Sequence, residues 1–294
     1  MSRKKTKVAI VALVLLAIVI GCVVGSSEAD TKGVSGTVNI AGSSALLPLA
    51  QNAAKTFMDK NPDSVINTNG GGSGQGLQQV SDGTIDIGDS DLLADEKLDK
   101  KSANKLVDHQ VAITAIAPII NKDAGVKSLT TEQLIKVFTG KVTNWKQVGG
   151  NDCQIVLVSR PSSSGTRVTF EQYALKKHAS QSNQSLETDD SGTLIQMIQS
   201  VSGSIGYVAL SYLTGDPQVG IVSINGVKPS LKNVYNGKYT VWSYEHMYTK
   251  GQPKGAAKAF LQQMLSEEYG KKIEAMGYGI ASKLTAAAKA THTK

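Results

Sequence analysis

Three segments of this 294-residue chain could gather an anion. They are Gly42-Ser43-Ser44-Ala45, Gly70-Gly71-Gly72-Ser73-Gly74-Gln75-Gly76 and Arg160-Pro161-Ser162-Ser163-Ser164-Gly165-Thr166. Each places small hydroxyl and glycine residues between an expected strand and an expected helix. The first turn of a helix has N–H groups without intrahelical partners and carries partial positive charge. Such ends hold anions, glycine lets the backbone come close, and hydroxyls add donors. Taken singly, each serine could be an ordinary N-cap. Together, with an arginine in the third, they point to one shared anion.

Other chemistries lack their signatures. The glycine loop breaks the dinucleotide spacing, because Leu77 stands where the last glycine belongs. Gly140-Lys141 is followed by Val142, so no phosphate-binding loop of the nucleotide type occurs. Ser73 does not fit the nucleophile elbow, since Gln75 takes the last glycine position. His109, His178, His246 and His292 show no metal spacing and read as solvated or structural. Cys153 reads as a free, partly buried thiol. No enzyme, metal or cofactor is expected.

The elements that must position these loops alternate strand and helix, which argues for an α/β fold. Strands are expected at 37–41, 64–69, 85–88, 155–159 and 204–209. Helices are expected at 46–60, 77–81, 131–138, 166–178, 193–201 and within 255–276. The apolar runs 111–121 and 239–248 could each cross between domains. Forty per cent hydrophobic residues supply a core, and 19% charged residues exclude a wholly disordered chain.

The N-terminus reads as an export signal. Arg3, Lys4, Lys5 and Lys7 precede an apolar run from Val8 to Ile20, followed by Gly21-Cys22. Val19-Ile20-Gly21-Cys22 resembles a lipobox, with cleavage before Cys22 and a lipid on its sulfur. An uncleaved anchor is the alternative, since Val8–Gly25 is free of charge. Either reading puts the remainder outside the cytoplasmic membrane. The formal charge of +7 loses those four basic residues with the signal, so 27 basic stand against 24 acidic. Nucleic acid is not an expected partner.

At these motifs the chain resembles the phosphate-binding lipoproteins of phosphate ABC transporters, a periplasmic-type solute-binding family. The resemblance covers most of residues 36–282. It rests on GSSALLP (42–48), GGGSGQG (70–76), DIGDSD (86–91), EQLIKVFTGKVTNW (132–145), RPSSSGT (160–166) and GSIGYV (203–208). It implies a two-lobed, type II periplasmic-binding-protein fold, with two hinge crossings and the ligand in the cleft. The expected division is signal 1–21, tether 22–33, one lobe from 34–110 plus 239–294, and the other from 111–238. The crossings are expected near 108–112 and 238–244.

The resemblance also assigns roles. Ser44 and Ala45 would donate from the first motif and Ser73 from the second. Asp91 would accept a proton-bearing phosphate oxygen, and Arg160, Ser164, Gly165 and Thr166 would hold the rest. One departure matters. Some relatives place an acidic residue two positions after the arginine; here it is Ser162, so either Arg160 is oriented from elsewhere or its charge is less compensated. Asp89 is another acid near the site. The implied partners are inorganic phosphate and a permease with a cytoplasmic ATPase, for a lipid-anchored monomer at the outer face of the membrane. A sulfate- or molybdate-binding protein, or a surface sensor or adhesin on the same fold, is the alternative.

Overall fold

The computed structural model describes residues 33–180 and 185–292. The signal, the tether and Cys22 lie outside the described residues. No described helix is long and apolar enough to cross a membrane.

Strand β1 (Gly36–Gly42) alternates buried Val38 and Ile40 with exposed Thr37 and Asn39, as a half-covered strand must. Helix α1 (Leu47–Lys60) starts with Pro48 in its first turn and buries Leu49, Ala50, Ala53 and Phe57 on one face. Strand β2 (Ser64–Asn69) follows. Helix α2 (Ser73–Asp82) begins four residues before the expected Leu77, because Gly74 and Gly76 belong to its first turns. A Cβ on Gly76 would lie 2.6 Å from the Ala41 carbonyl oxygen, so glycine lets α2 press on β1. Strand β3 (Ile87–Ser90) is buried throughout.

Strand β4 (Leu106–Ile120) is the longest and has nine consecutive buried residues from Ala112. Helix α3 (Thr131–Phe138) has a capping box made by Thr130 and Gln133. Strand β5 (Val156–Ser159) leads into α4 (Gly165–Tyr173). That helix stops short of the expected His178, with Lys176 and Lys177 at positive φ. Next come β6 (Leu186–Glu187), α5 (Ser191–Ser200), β7 (Ser204–Ala209) and β8 (Gly220–Ile221). Strand β9 (Trp242–Lys250) precedes α6 (Gly255–Met264) and α7 (Glu267–Ile273).

The strand order is β2-β1-β3-β9-β4-β7-β5-β6, with β8 also on β4. Strand β4 links two sheets. Up to Ala115 it pairs antiparallel with β9, and from Ile116 it pairs with β7. One apolar core gathers Val38, Leu49, Phe57, Ile87, Met247 and Phe260. A second gathers Phe138, Trp145, Phe170, Tyr207 and Trp242, and includes Leu284 and Ala288 from the C-terminal segment. The starts of α1 and α2 and the end of β3 meet the starts of α4 and α5 in the seam between these cores.

Candidate functional site

Asp91 stands at the centre of the seam, 4% exposed. It follows β3 directly, and its backbone N–H donates to Ser73 Oγ at 3.0 Å. Three hydroxyls turn to its carboxylate. Ser43 Oγ donates to Oδ1, Ser73 Oγ lies 3.4 Å from Oδ1, and Thr166 Oγ1 donates to Oδ2 at 2.8 Å. The Thr166 bond joins residues 75 apart in sequence and closes the seam. Bonds from hydroxyls to a buried carboxylate are each worth about 1.5–3 kcal/mol.

Arg160 is fully buried at the end of β5. Its Nη2 donates to Ser191 Oγ at 2.8 Å, and its Nη1 to the Asp189 carbonyl at 3.0 Å. Nε and Nη2 reach the Tyr207 carbonyl at 3.4 and 3.3 Å. Nη1 also lies 3.4 Å from Ser44 Oγ. Burial pulls its pKa down, while Tyr207, Asp189 and Asp91 hold the charge in place. A guanidinium stays charged in such settings.

The acid missing at Ser162 is supplied by Asp189, whose Oδ1 is 3.9 Å from Arg160 Nη1. Burial pushes the Asp189 carboxyl up, with Arg160 and Ser164 opposing the shift. Thus Arg160 is oriented from the loop before α5 rather than from its own motif.

The remaining expected residues fall around these two. Ser44 Oγ donates to the Asp189 carbonyl at 2.8 Å and sits 3.1 Å from Ser191 Oγ. Ala45 N–H turns back to Ser43 Oγ at 3.1 Å, closing the turn before α1. Ser164 caps α4, accepting from Arg167 N–H at 3.4 Å. Gly165 opens α4 against Ser73, and Gly74 N–H donates to the Ser163 carbonyl at 2.9 Å. All eight expected non-lipid residues therefore meet in one buried seam. In this arrangement the two sides satisfy each other, Thr166 with Asp91 and Arg160 with Ser44.

Sequence reasoning missed Ser43 as the hydroxyl on Asp91, and it missed Asp189 and Ser191 entirely. A signal was present. Ser191-Gly192-Thr193 repeats the Ser164-Gly165-Thr166 pattern, and Asp190 caps α5 as Ser164 caps α4. Elsewhere, His246 Nδ1 pairs with Asp108 at 2.8 Å, and Cys153 is a free, half-buried thiol.

Behind Asp91 lie two more buried acids, Asp89 and Glu245. Burial, with the Asp91 charge, pushes the Asp89 carboxyl well above its usual range. Folding therefore takes up a proton there, and stability falls as pH rises above the ordinary carboxyl pKa of about 4, by up to about 1.4 kcal/mol per pH unit. Asp89→Asn removes this loss. Its melting temperature, relative to that of the unaltered chain, is expected to rise between about pH 5 and about pH 8. A difference that stays constant across that range would contradict a neutral Asp89.

Comparison with known proteins places this geometry in a family. Residues 27–268 match the family model of the PBP superfamily domain. The phosphate-binding protein PstS of Bacillus subtilis is 48% identical over 248 residues, covering 84% of this chain and 81% of that protein. PstS of Staphylococcus epidermidis is 26% identical, covering 87% and 82%. Among solved structures, a chain from Clostridium perfringens described as a phosphate ABC transporter substrate-binding protein, with bound phosphate, aligns with a TM-score of 0.74. It is 31% identical and covers 83% of this chain and 98% of its own. A phosphate transport receptor of the ABC type from Vibrio cholerae aligns with a TM-score of 0.64 at 25% identity, covering 83% and 100%.

Proposed function

This chain belongs to the PBP superfamily, among the PstS phosphate-binding proteins, and on that premise we propose that it binds inorganic phosphate outside the cytoplasm for delivery to an ABC-type phosphate importer. The family is one of substrate-binding proteins, and no reaction is proposed.

The observation that carries the reading is a buried arginine and a buried carboxylate in one hydroxyl-lined seam. Arg160 would grip two phosphate oxygens with its fork. The hydroxyls of Ser44, Ser73, Ser164 and Thr166 and the N–H groups of Ala45 and Gly165 would serve the others. Asp91 repels any anion unless a proton lies between them. Hydrogen phosphate brings that proton, and fully ionised sulfate does not. Phosphate would enter by replacing bonds the two sides now make with each other, Thr166 to Asp91 and Arg160 to Ser44.

The lobes would be 34–110 plus 239–294 and 111–238, closing on the ligand by a hinge. Strand β4, shared by both sheets, is the natural hinge element. Cys22 would carry the lipid, holding a monomer at the outer face of the membrane near the permease and its ATPase.

Thermal unfolding tests the reading. Phosphate at about 1,000 times its Kd should add about 4.1 kcal/mol of stability. Sulfate at the same concentration should leave the transition in place. A chain whose melting temperature ignores phosphate would sink the proposal.

Closure yields a further expectation. A Cβ on Gly165 would meet Ser73 Oγ at 2.3 Å and Asp91 Cβ at 3.0 Å. Gly165→Ala should hold the seam apart and weaken phosphate binding about tenfold or more, the scale of overpacking in a tight core. Equilibrium dialysis of labelled phosphate reads this; unchanged affinity would show that the seam need not close.

A further inference from the structure

Strand β9 carries a glutamate that the proposed phosphate contacts do not use. Glu245 is 0% exposed, and no donor faces either of its carboxyl oxygens. It stands opposite a bulge in β4, whose extra residue is Val111. Glu245 pairs with Ala112 of β4, yet His246 pairs with Gln110, so the register slips between them. Bulges re-aim side chains beside functional sites. On the other side of β9, His246 pairs with Ser90 of β3, which sets Glu245 beside the next residue, Asp91.

That register sets the two buried carboxyl groups on neighbouring strands, each close enough to act on the other. Two carboxylates cannot share such a contact unless one holds a proton. Their surroundings decide which. Asp91 receives the hydroxyls of Ser43, Ser73 and Thr166, and its charge acts on Arg160. Glu245 receives none of these. The charge that faces it, that of Asp91, shares its sign, and its other neighbour Asp89 is an acid too. Tyr278 also faces it, but the Tyr278 hydroxyl is spent on the Ala45 carbonyl. The neighbouring His246 ring turns to Asp108. Burial and the two aspartates push the Glu245 carboxyl well above its usual range.

We propose that Glu245 is held as a neutral carboxylic acid that donates its proton to Asp91, and so keeps Asp91 the ionised acceptor for the protonated oxygen of phosphate. Its last clause rests on the phosphate reading above. Glu245 is then a positioning residue. It touches no ligand; it fixes where the proton sits before the ligand arrives. Without that donor, Asp91 would keep only the hydroxyls of Ser43, Ser73 and Thr166 to hold it as the acceptor.

Two measurements on the full chain test this. The first is infrared spectroscopy at neutral pH with 13C-labelled glutamate. The unaltered chain should show an isotope-shifted C=O band of a protonated carboxylic acid, and Glu245→Gln should lose it. No band in the unaltered chain, or a band that survives in E245Q, would overturn the proposal. The second compares two side chains of similar size. Glutamine keeps an N–H donor for Asp91, and methionine does not. E245Q should keep phosphate affinity within about threefold, while E245M loses about tenfold or more, the scale of one charge-assisted hydrogen bond. Both variants should show the circular dichroism spectrum of the folded chain. Equal affinities of the folded variants would overturn the donor role. If the unaltered chain binds no phosphate, the functional reading fails, and the infrared band still decides where the proton sits.

Discussion

Replacing Arg160 by alanine is expected to weaken phosphate binding by about a hundredfold or more, the equivalent of roughly 3–5 kcal/mol. The size follows from burial. Arg160 is fully enclosed, and its donors are already aimed by Ser191, Asp189 and the Tyr207 carbonyl. Little ordering is left to be done when an anion arrives. The same enclosure predicts a second effect. Without the guanidinium, Asp189 remains in the seam without the cation that opposes its burial. The melting temperature of R160A should therefore drop. Arg160→Lys separates charge from shape. It keeps the cation and loses the fork, so its affinity should fall between those of R160A and the unaltered chain. Titration of the three proteins with phosphate checks the order. An R160A protein that binds as the unaltered chain does would take the arginine out of the site.

The second large effect concerns selectivity. Asp91→Asn keeps an acceptor oxygen for Ser43 and Ser73, and its N–H can donate to Thr166 Oγ1, so the seam should still assemble. It removes the negative charge and adds an N–H donor. Sulfate binding should rise, phosphate binding should fall, and the ratio between them should narrow by more than about tenfold. The scale is that of a buried charged acceptor left without its proton, about 1–3 kcal/mol or more. Competition between the two anions in one titration reads this ratio directly. An unchanged ratio would mean that Asp91 is a structural cap and that selectivity arises elsewhere.

The parts of the site that are legible in the sequence are those carried by local pattern. Ser44, Ser73, Arg160 and Thr166 each stand in a short hydroxyl-glycine segment before a helix, and the structure brings them into one seam. Helix α3 is expected and observed over 131–138, because Thr130 and Gln133 form a capping box from neighbouring residues. Local pattern fails where long-range packing decides. Helix α2 starts at Ser73 rather than at Leu77, because its glycines are there for contact with β1, which no local rule contains. Helix α4 ends at Tyr173, although the good helix formers Ala174 and Leu175 follow it.

Asp189 was out of reach for a related reason. Its value lies in being 3.9 Å from an arginine 29 positions away. Glu245 is a sharper case. It interrupts an aromatic and apolar strand, Trp242 to Tyr248, which is a visible oddity. Only the register between β9 and β3 shows that it stands beside Asp91.

The most direct test is calorimetric titration of the full chain, stripped of bound anion, with phosphate and then with sulfate. One phosphate site of micromolar affinity or tighter, about −8 kcal/mol or better, is expected, with sulfate at least about a hundredfold weaker. Equal binding of both anions, or no phosphate binding by a chain shown to be folded, would contradict a seam built around Arg160 and Asp91 for an anion that brings its own proton.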